Sequence, residues 1–203
     1  MISIDPKDRT ERENYKLLIG SVTPRPIAFV TTENRYTNEV NGAPFSFFNI
    51  VSSAPPMISV AVQRKNGEMK DTAYHIQAEK EFVVHVVDED NVEKVNKTAA
   101  NLPRQESEIT HAGFQLINSD LIQTRGIKEA KIRFECKLFD LLTFENEGKP
   151  ATDFIIGEVV RFHIDESIYN DGKIMYEPLR AVSRLAGNDY ATIGDIMTIE
   201  RPD

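Results

Sequence analysis

Between Asn41 and Val62 the chain reads NGAPFSFFNIVSSAPPMISVAV. Ser46, Asn49, Ser52 and Ser53 supply short hydroxyl and amide groups there, which can bond the edge of a flat ligand or a phosphate. Phe45, Phe47 and Phe48 stand among them as apolar walls, and Pro44, Pro55 and Pro56 stiffen the backbone. This composition predicts a rigid loop that holds an aromatic, phosphorylated cofactor. A second candidate is Lys70-Asp71-Thr72, which places a cation and a hydroxyl at a predicted helix start. Free backbone N–H groups and the helix dipole favour a phosphate at such a point. Arg184 and Tyr190 lie far along the chain and, taken alone, read as ordinary surface residues.

Other chemistries have less support. There is no Gly-x-Ser-x-Gly run, and the single cysteine, Cys136, falls on the inward side of a predicted strand. Free cysteine in that setting behaves as a small hydrophobe. His75, His85, His111 and His163 are dispersed, without the close spacing of zinc ligands. No glycine-rich phosphate loop of the dinucleotide or P-loop kind is present. A nucleotide cofactor would therefore need another architecture.

The chain has 203 residues and a formal net charge of −8, enough length for one domain with a sizeable core. The acidic balance argues against non-specific nucleic-acid binding, which needs a basic surface. No apolar run approaches the roughly 20 residues that span a bilayer, and the polar start MISIDPKDRTERENYK does not read as a secretory signal. A lone cysteine fits a reducing compartment. A cytoplasmic protein is expected, with no membrane or nucleic-acid partner.

Elements follow from local patterns. Thr10 and Glu13 have capping-box spacing and predict a short helix ending before Gly20. Ser21 to Pro26 must be extended and leads into a strand over 27–32, with a hairpin reversal within 33–41. Strands are expected over 58–62 and 82–87. Between them, Asp71 is expected to cap a helix that reaches Ala78. Asp90 and Glu93 predict a further helix to Ala100, and 102–111 a loop or short helix. Ile132, Phe134, Cys136 and Leu138 alternate with Lys131, Arg133, Glu135 and Lys137, the period of an antiparallel strand with one wet face. Asn146 to Pro150 reads as a turn into a partner strand over 154–164. About six strands with a few short helices suggest an antiparallel barrel, and an α/β sheet is the second choice.

The series Thr23-Pro24-Arg25-Pro26-Ile27-Ala28-Phe29-Val30-Thr31-Thr32, then Ala43-Pro44-Phe45-Ser46-Phe47-Phe48-Asn49, Lys70-Asp71-Thr72, Glu81-Phe82-Val83-Val84 and Ser183-Arg184-Leu185, resembles the flavin reductase-like FMN-binding family. The resemblance covers nearly the whole chain in order. It implies one domain over 1–203, mainly β with short helices: a six-stranded antiparallel Greek-key split barrel that binds FMN and pairs as a homodimer. It also implies cofactor-binding roles for the block Ser46, Phe47, Phe48, Asn49, Ser52 and Ser53, with Ser46 and Asn49 at the ring edge. Lys70 and Thr72 would take the phosphate, Asp71 would cap the helix, and Arg184 and Tyr190 would form a C-terminal contact. Arg25 is a weaker candidate. His75 and His85 replace an expected asparagine, and Ala186 an expected glycine.

What the resemblance implies chemically is an oxidoreductase in which NAD(P)H passes hydride to bound FMN, with FAD the less favoured flavin. Electrons would leave to free flavin, a ferric complex or another acceptor, and a monooxygenase is a candidate recipient of reduced flavin. The flavin carries the chemistry, so no catalytic side chain and no metal are expected. A flavin carrier or electron relay without NAD(P)H turnover is the alternative.

Overall fold

The computed structural model describes residues 1–99 and 107–202. Helix α1 (Glu11–Ser21) opens with the expected capping box, both reciprocal bonds between Thr10 and Glu13 being present. It runs through Gly20 and does not stop before it. The main strands are β1 (Ala28–Asn34), β2 (Glu39–Phe45), β3 (Phe48–Ser53), β4 (Pro56–Gln63), β5 (Glu81–Val86), β6 (Ile132–Asn146) and β7 (Lys149–Ile164). They form one antiparallel sheet of seven strands in the order β2-β1-β5-β6-β7-β4-β3. The sheet thus has one strand more than the six expected.

Its two edges, β2 and β3, are consecutive in the chain and joined only by Ser46 and Phe47. A flat sheet of this width would hold its edges about 29 Å apart. The link from Phe45 to Phe48 reaches at most about 11 Å. The sheet must therefore curl until its edges meet, which makes it a split barrel. The Phe47 carbonyl accepts a bond from the Ala61 amide at 2.8 Å beside this seam.

The stretch from Asn41 to Val62 is accordingly not a loop. It is the end of β2, all of β3 and most of β4. Pro44 is tolerated because β2 is an edge strand. The small polar side chains of β3 fit a strand with one edge open to solvent.

The barrel interior is filled by Ala28, Val30, Val60, Val62, Phe82, Val84, Cys136 and Ile155. Cys136 is fully buried, and burial pushes its thiol pKa far up, so it is an inert packing group. Gly157 lies against the Phe82 ring, where a Cβ would collide with it. Helix α2 (Asp71–Glu79) inserts Ala73 and Ile76 into the same core. A second cluster, with Phe29, Val40, Val95, Ile109, Phe114, Ile127 and Val182, packs on the other face of β1. That second layer explains why β1 is buried from Ala28 through Thr32 without alternation.

Helix α3 spans Val92–Lys97. The expected Asp90–Glu93 cap is absent, because the Asp88 carboxylate accepts the Asp90 and Asn91 amides instead. The expectations for Ala100 and for 101–106 lie outside the described residues. Helix α4 (Glu108–His111) follows. The segment 113–131 pairs with itself only at Leu116–Ile117 and Gly126–Ile127, so side chains take up its amides. Glu81 accepts the Gln123 and Thr124 amides, and Glu135 accepts those of Asp120 and Leu121. For that reason Glu135 is buried rather than on a wet face. No described helix is long and apolar enough to cross a membrane.

His85 is part of the same fastening. Its Nδ1–H donates to the Phe29 carbonyl and its Nε2 accepts the Ile127 amide, each at 2.9 Å. Gly126 allows this approach, since a Cβ there would stand 2.9 Å from Nε2. Burial lowers the imidazole pKa to about 3, with the Phe29 bond opposing and Arg133 assisting. The unfolded chain would take up a proton near the ordinary value of about 6.5. The His85 contribution to stability is therefore complete above that pH and is lost as pH falls toward 3, at up to about 1.4 kcal/mol per pH unit. Nitrogen NMR should find this ring neutral, with Nε2 unprotonated, from pH 7 to 5; a midpoint near 6.5 would contradict the assignment.

Candidate flavin site

Two adjoining cavities share Pro44, Phe45 and Ala99 as walls. One, of about 250 Å³, is bounded by Tyr15, Ile27, Ser46, Asn96, Arg184 and Tyr190 among others. Its neighbour, of about 400 Å³, is bounded by Asn41, Lys65, Lys70, Asp71, Thr72 and Glu108 among others. The end of β2 forms the ridge between them. The groove draws on parts of the chain that are distant in sequence.

At the 400 Å³ end, Lys70 is the N-cap of α2 and no side chain caps this end of the helix. Asp71 is thus the first helical residue and not the cap that was expected. The amides of the first turn remain open to an external acceptor. Thr72 is buried, and its hydroxyl accepts the Asn41 amide at 3.0 Å. Lys70 is exposed as a residue, yet desolvation and then the Lys65 charge lower the pKa of its ammonium. Glu108 faces the same cavity, and burial, then Asp71 and Glu39, raises its carboxyl pKa.

The loop before α2 is held by a buried ion pair. Arg64 Nε and Nη2 donate to the two Asp153 oxygens at 2.9 and 2.7 Å, and Arg64 also donates to the Gly67 carbonyl. Asp153 is fully buried and receives the Thr143 hydroxyl as well. This pair fixes where the chain turns into Lys70.

The 250 Å³ end is built around a short three-stranded sheet of Arg25–Pro26, Val182–Arg184 and Tyr190–Thr192. Arg184 stacks on Tyr190, its guanidinium carbon 4.4 Å from the ring centroid. The Tyr190 hydroxyl donates to Asn96 at 3.0 Å, tying this hairpin to α3. Ala186 is in the turn that connects the strands, where Gly187 supplies the positive φ of 62°.

The structure brings together Ser46, Arg184 and Tyr190 at one end of the groove and Lys70, Asp71 and Thr72 at the other. It does not bring the remaining expected residues into either cavity. Phe47 lines a separate groove beside α1, and Phe48 packs on the barrel core. Asn49 Oδ1 accepts the Ile50 amide, Ser52 Oγ accepts the Ala54 amide, and Ser53 is exposed on β3. His75, in the middle of α2, contacts the Thr32 hydroxyl at 3.2 Å. Asn41 and Asn96 line the groove, and neither was an expected site residue. Asp120, Glu135 and His163 converge, but Glu135 is already occupied by two amides and by His163 Nε2 at 2.6 Å. Structural bonding accounts for that cluster.

Residues 19–180 match the family described as the flavin reductase like domain. The chain belongs to this family. Nitrilotriacetate monooxygenase component B from Bacillus cereus is similar at 50% identity and a TM-score of 0.95, with 98% of each chain covered. The 2-nitrobenzoate 2-nitroreductase NbaA of Pseudomonas fluorescens is similar at 30% identity and a TM-score of 0.89, covering 99% of this chain and 96% of its own. Among curated sequences, YwrF of Bacillus subtilis is 49% identical over 94% of each chain. The flavoredoxin of Desulfovibrio vulgaris, at 20% identity and a TM-score of 0.75, shares the fold over 88% of this chain and 91% of its own.

Replacing Asp153 with alanine should cost about 3–5 kcal/mol, because the Arg64 charge is left buried and unpaired. Denaturant unfolding measures this; a loss below about 1 kcal/mol, as for an exposed pair, would show that the pair does not anchor the loop.

Proposed function

We propose that the groove binds FMN and that the protein is an NAD(P)H-dependent oxidoreductase which reduces flavin or another small acceptor. The observation that carries this reading is the chemistry at the two ends of one groove. An uncapped helix start with Lys70 and the Thr72 hydroxyl suits a phosphate. A cavity walled by Ile27, Phe45 and Tyr190, with Ser46 and Arg184 as polar groups, suits a flat ring with a polar edge. Family membership supports the flavin, and the choice of FMN over FAD rests on a single phosphate end. Bound FMN would supply hydride acceptance, and the chain would supply placement and polarity.

In this reading Lys70, Thr72 and the first amides of α2 hold the phosphate, and Asp71 shapes that turn. Ser46 bonds the ring edge, with Arg184 and Tyr190 closing over it. Phe47, Phe48, Asn49, Ser52 and Ser53 belong to the seam strand, and a role for them would come through a second copy of the chain. A homodimer is supported by exposed apolar side chains on β3 and on the β6–β7 hairpin, Ile50, Val51, Phe139, Leu142, Phe144 and Phe162. The full chain acts as one flavin-binding domain in the cytoplasm. A monooxygenase that consumes the reduced flavin is the partner suggested by the likeness to a monooxygenase component B.

Protein reconstituted with FMN should lose its visible flavin absorption when NADH or NADPH is added without oxygen. Loss with neither nucleotide would leave a flavin carrier in place of a reductase. Replacing Lys70 and Thr72 together with alanine should weaken FMN by at least roughly 10- to 150-fold, the worth of a single charge-assisted bond, while riboflavin affinity stays unchanged. Equal weakening of both ligands would place the phosphate elsewhere.

A further inference from the structure

Arg25 is buried, with only 6% of its surface exposed. Its Nη1 donates to the carbonyls of Ile19, at 2.6 Å, and Val22, and its Nη2 to the Leu185 carbonyl at 2.8 Å. These acceptors take three of its five N–H hydrogens without cancelling its charge. Several other shielded cations of this chain meet carboxylates. Arg64 meets Asp153, Arg125 meets Glu33, and Lys131 meets Asp90 with Asp88 nearby. Among the described residues, no carboxylate lies within ion-pair distance of Arg25 or of Arg184.

Those two residues are register partners, Arg25 opposite Arg184 in the short sheet. Side chains of directly opposed residues share one face of a sheet. A fourth Arg25 donor, Nε, points to the Ser46 hydroxyl at 3.5 Å, and Ser46 and Arg184 both line the 250 Å³ cavity. Two positive charges without a counter-ion therefore flank one end of the groove, one beneath its wall and one on it. An uncompensated buried charge is costly unless something negative completes it. A ligand that brings or acquires negative charge would complete it.

We infer that Arg25 and Arg184 together stabilise the negative charge that a flavin ring acquires on receiving a hydride, with Arg25 acting from behind through Ser46. The inference rests on the flavin reading above. The charge follows from the balance of the reaction. A reduced nicotinamide gives up its C4 hydrogen with both electrons of that C–H bond; a new N–H bond forms on the neutral ring. The nicotinamide becomes cationic and the ring carries one negative charge. Placed charges of the opposite sign then favour the reduced over the oxidised ligand. Arg25 is a positioning residue in this scheme, because Ser46 stands between it and the cavity. Its bonds to Ile19, Val22 and Leu185 also keep α1 and the C-terminal hairpin in register around the same cavity.

The midpoint potential of bound FMN, equilibrated against a reference dye, tests this in the reconstituted wild type, Arg184→Gln, Arg25→Gln and Arg25→Lys. Each glutamine variant should lower the affinity ratio of reduced to oxidised flavin tenfold or more, a fall of about 30 mV or more for a two-electron couple. Arg25→Lys keeps the charge and should retain most of the wild-type potential. A purely structural Arg25 would weaken both redox forms equally and leave the potential unmoved. Unshifted potentials in both glutamine variants with flavin bound would overturn this inference alone, as would a lysine variant shifted as far as Arg25→Gln. If Arg25→Gln does not fold, an unshifted Arg184→Gln overturns it. Wild-type protein that takes up no FMN would overturn the parent reading, and this inference with it.

Discussion

Two residues, Ser46 and Phe47, connect the opposite edges of a seven-stranded sheet, and that covalent constraint organises the molecule. It forces the sheet to curl around Phe82, Val84 and Cys136. It also puts Ser46 at the seam, where the curled sheet meets α1 and the C-terminal hairpin. Closure leaves one side of the barrel without a continuous ladder of hydrogen bonds. The groove lies along the end of β2 at that seam, bounded by backbone that the sheet does not consume. The same constraint that shapes the barrel thus also shapes the groove.

Around the seam the chain uses charged side chains as fasteners. Glu81, Glu135 and neutral His85 take up the amides of a segment that has almost no ladder of its own. Arg64 and Asp153 set the turn before α2. Asp88, Asp90 and Lys131 secure the segment leading to Arg184, since Lys131 also donates to the Pro178 carbonyl and Val182 bonds Val87. These networks are locally complete, with one exception. Among the described residues Asp88 Oδ2 has no hydrogen-bond partner, its nearest cation being Lys131 at 3.9 Å. Burial raises the Asp88 carboxyl pKa against that attraction. Arg25 differs from Arg64 and Lys131 in that, among the described residues, no carboxylate lies within ion-pair distance of it.

Much of the fold was legible in the sequence because its signals are local. The alternation from Ile132 to Leu138, the Thr10–Glu13 cap and the Asn146–Pro150 turn each identify an element from its own residues. The seam strand was not legible. Its Ser, Asn and Pro content speaks for a loop, and only the long-range pairing of β3 with β4 makes it a strand. Likewise Glu135 looked solvated by alternation, whereas its burial depends on amides that arrive from Asp120 and Leu121. Lys70 and Thr72 stood out as a cation and a hydroxyl at a predicted helix start, and Arg184 only through the family resemblance. That Ser46 would meet Arg184 while Asn49 would not is a consequence of strand pairing. Periodicity carries no information about it.

The central claim is that one groove holds the flavin, with its ring beside Ser46, Arg184 and Tyr190 and its phosphate at Lys70 and the start of α2. A crystal structure of the protein grown with FMN tests it most directly. The account predicts continuous flavin density along the end of β2, with the phosphate within hydrogen-bonding distance of Lys70 and the first amides of α2. Flavin bound away from this groove, or lying in it with the phosphate beside Arg184, would contradict it.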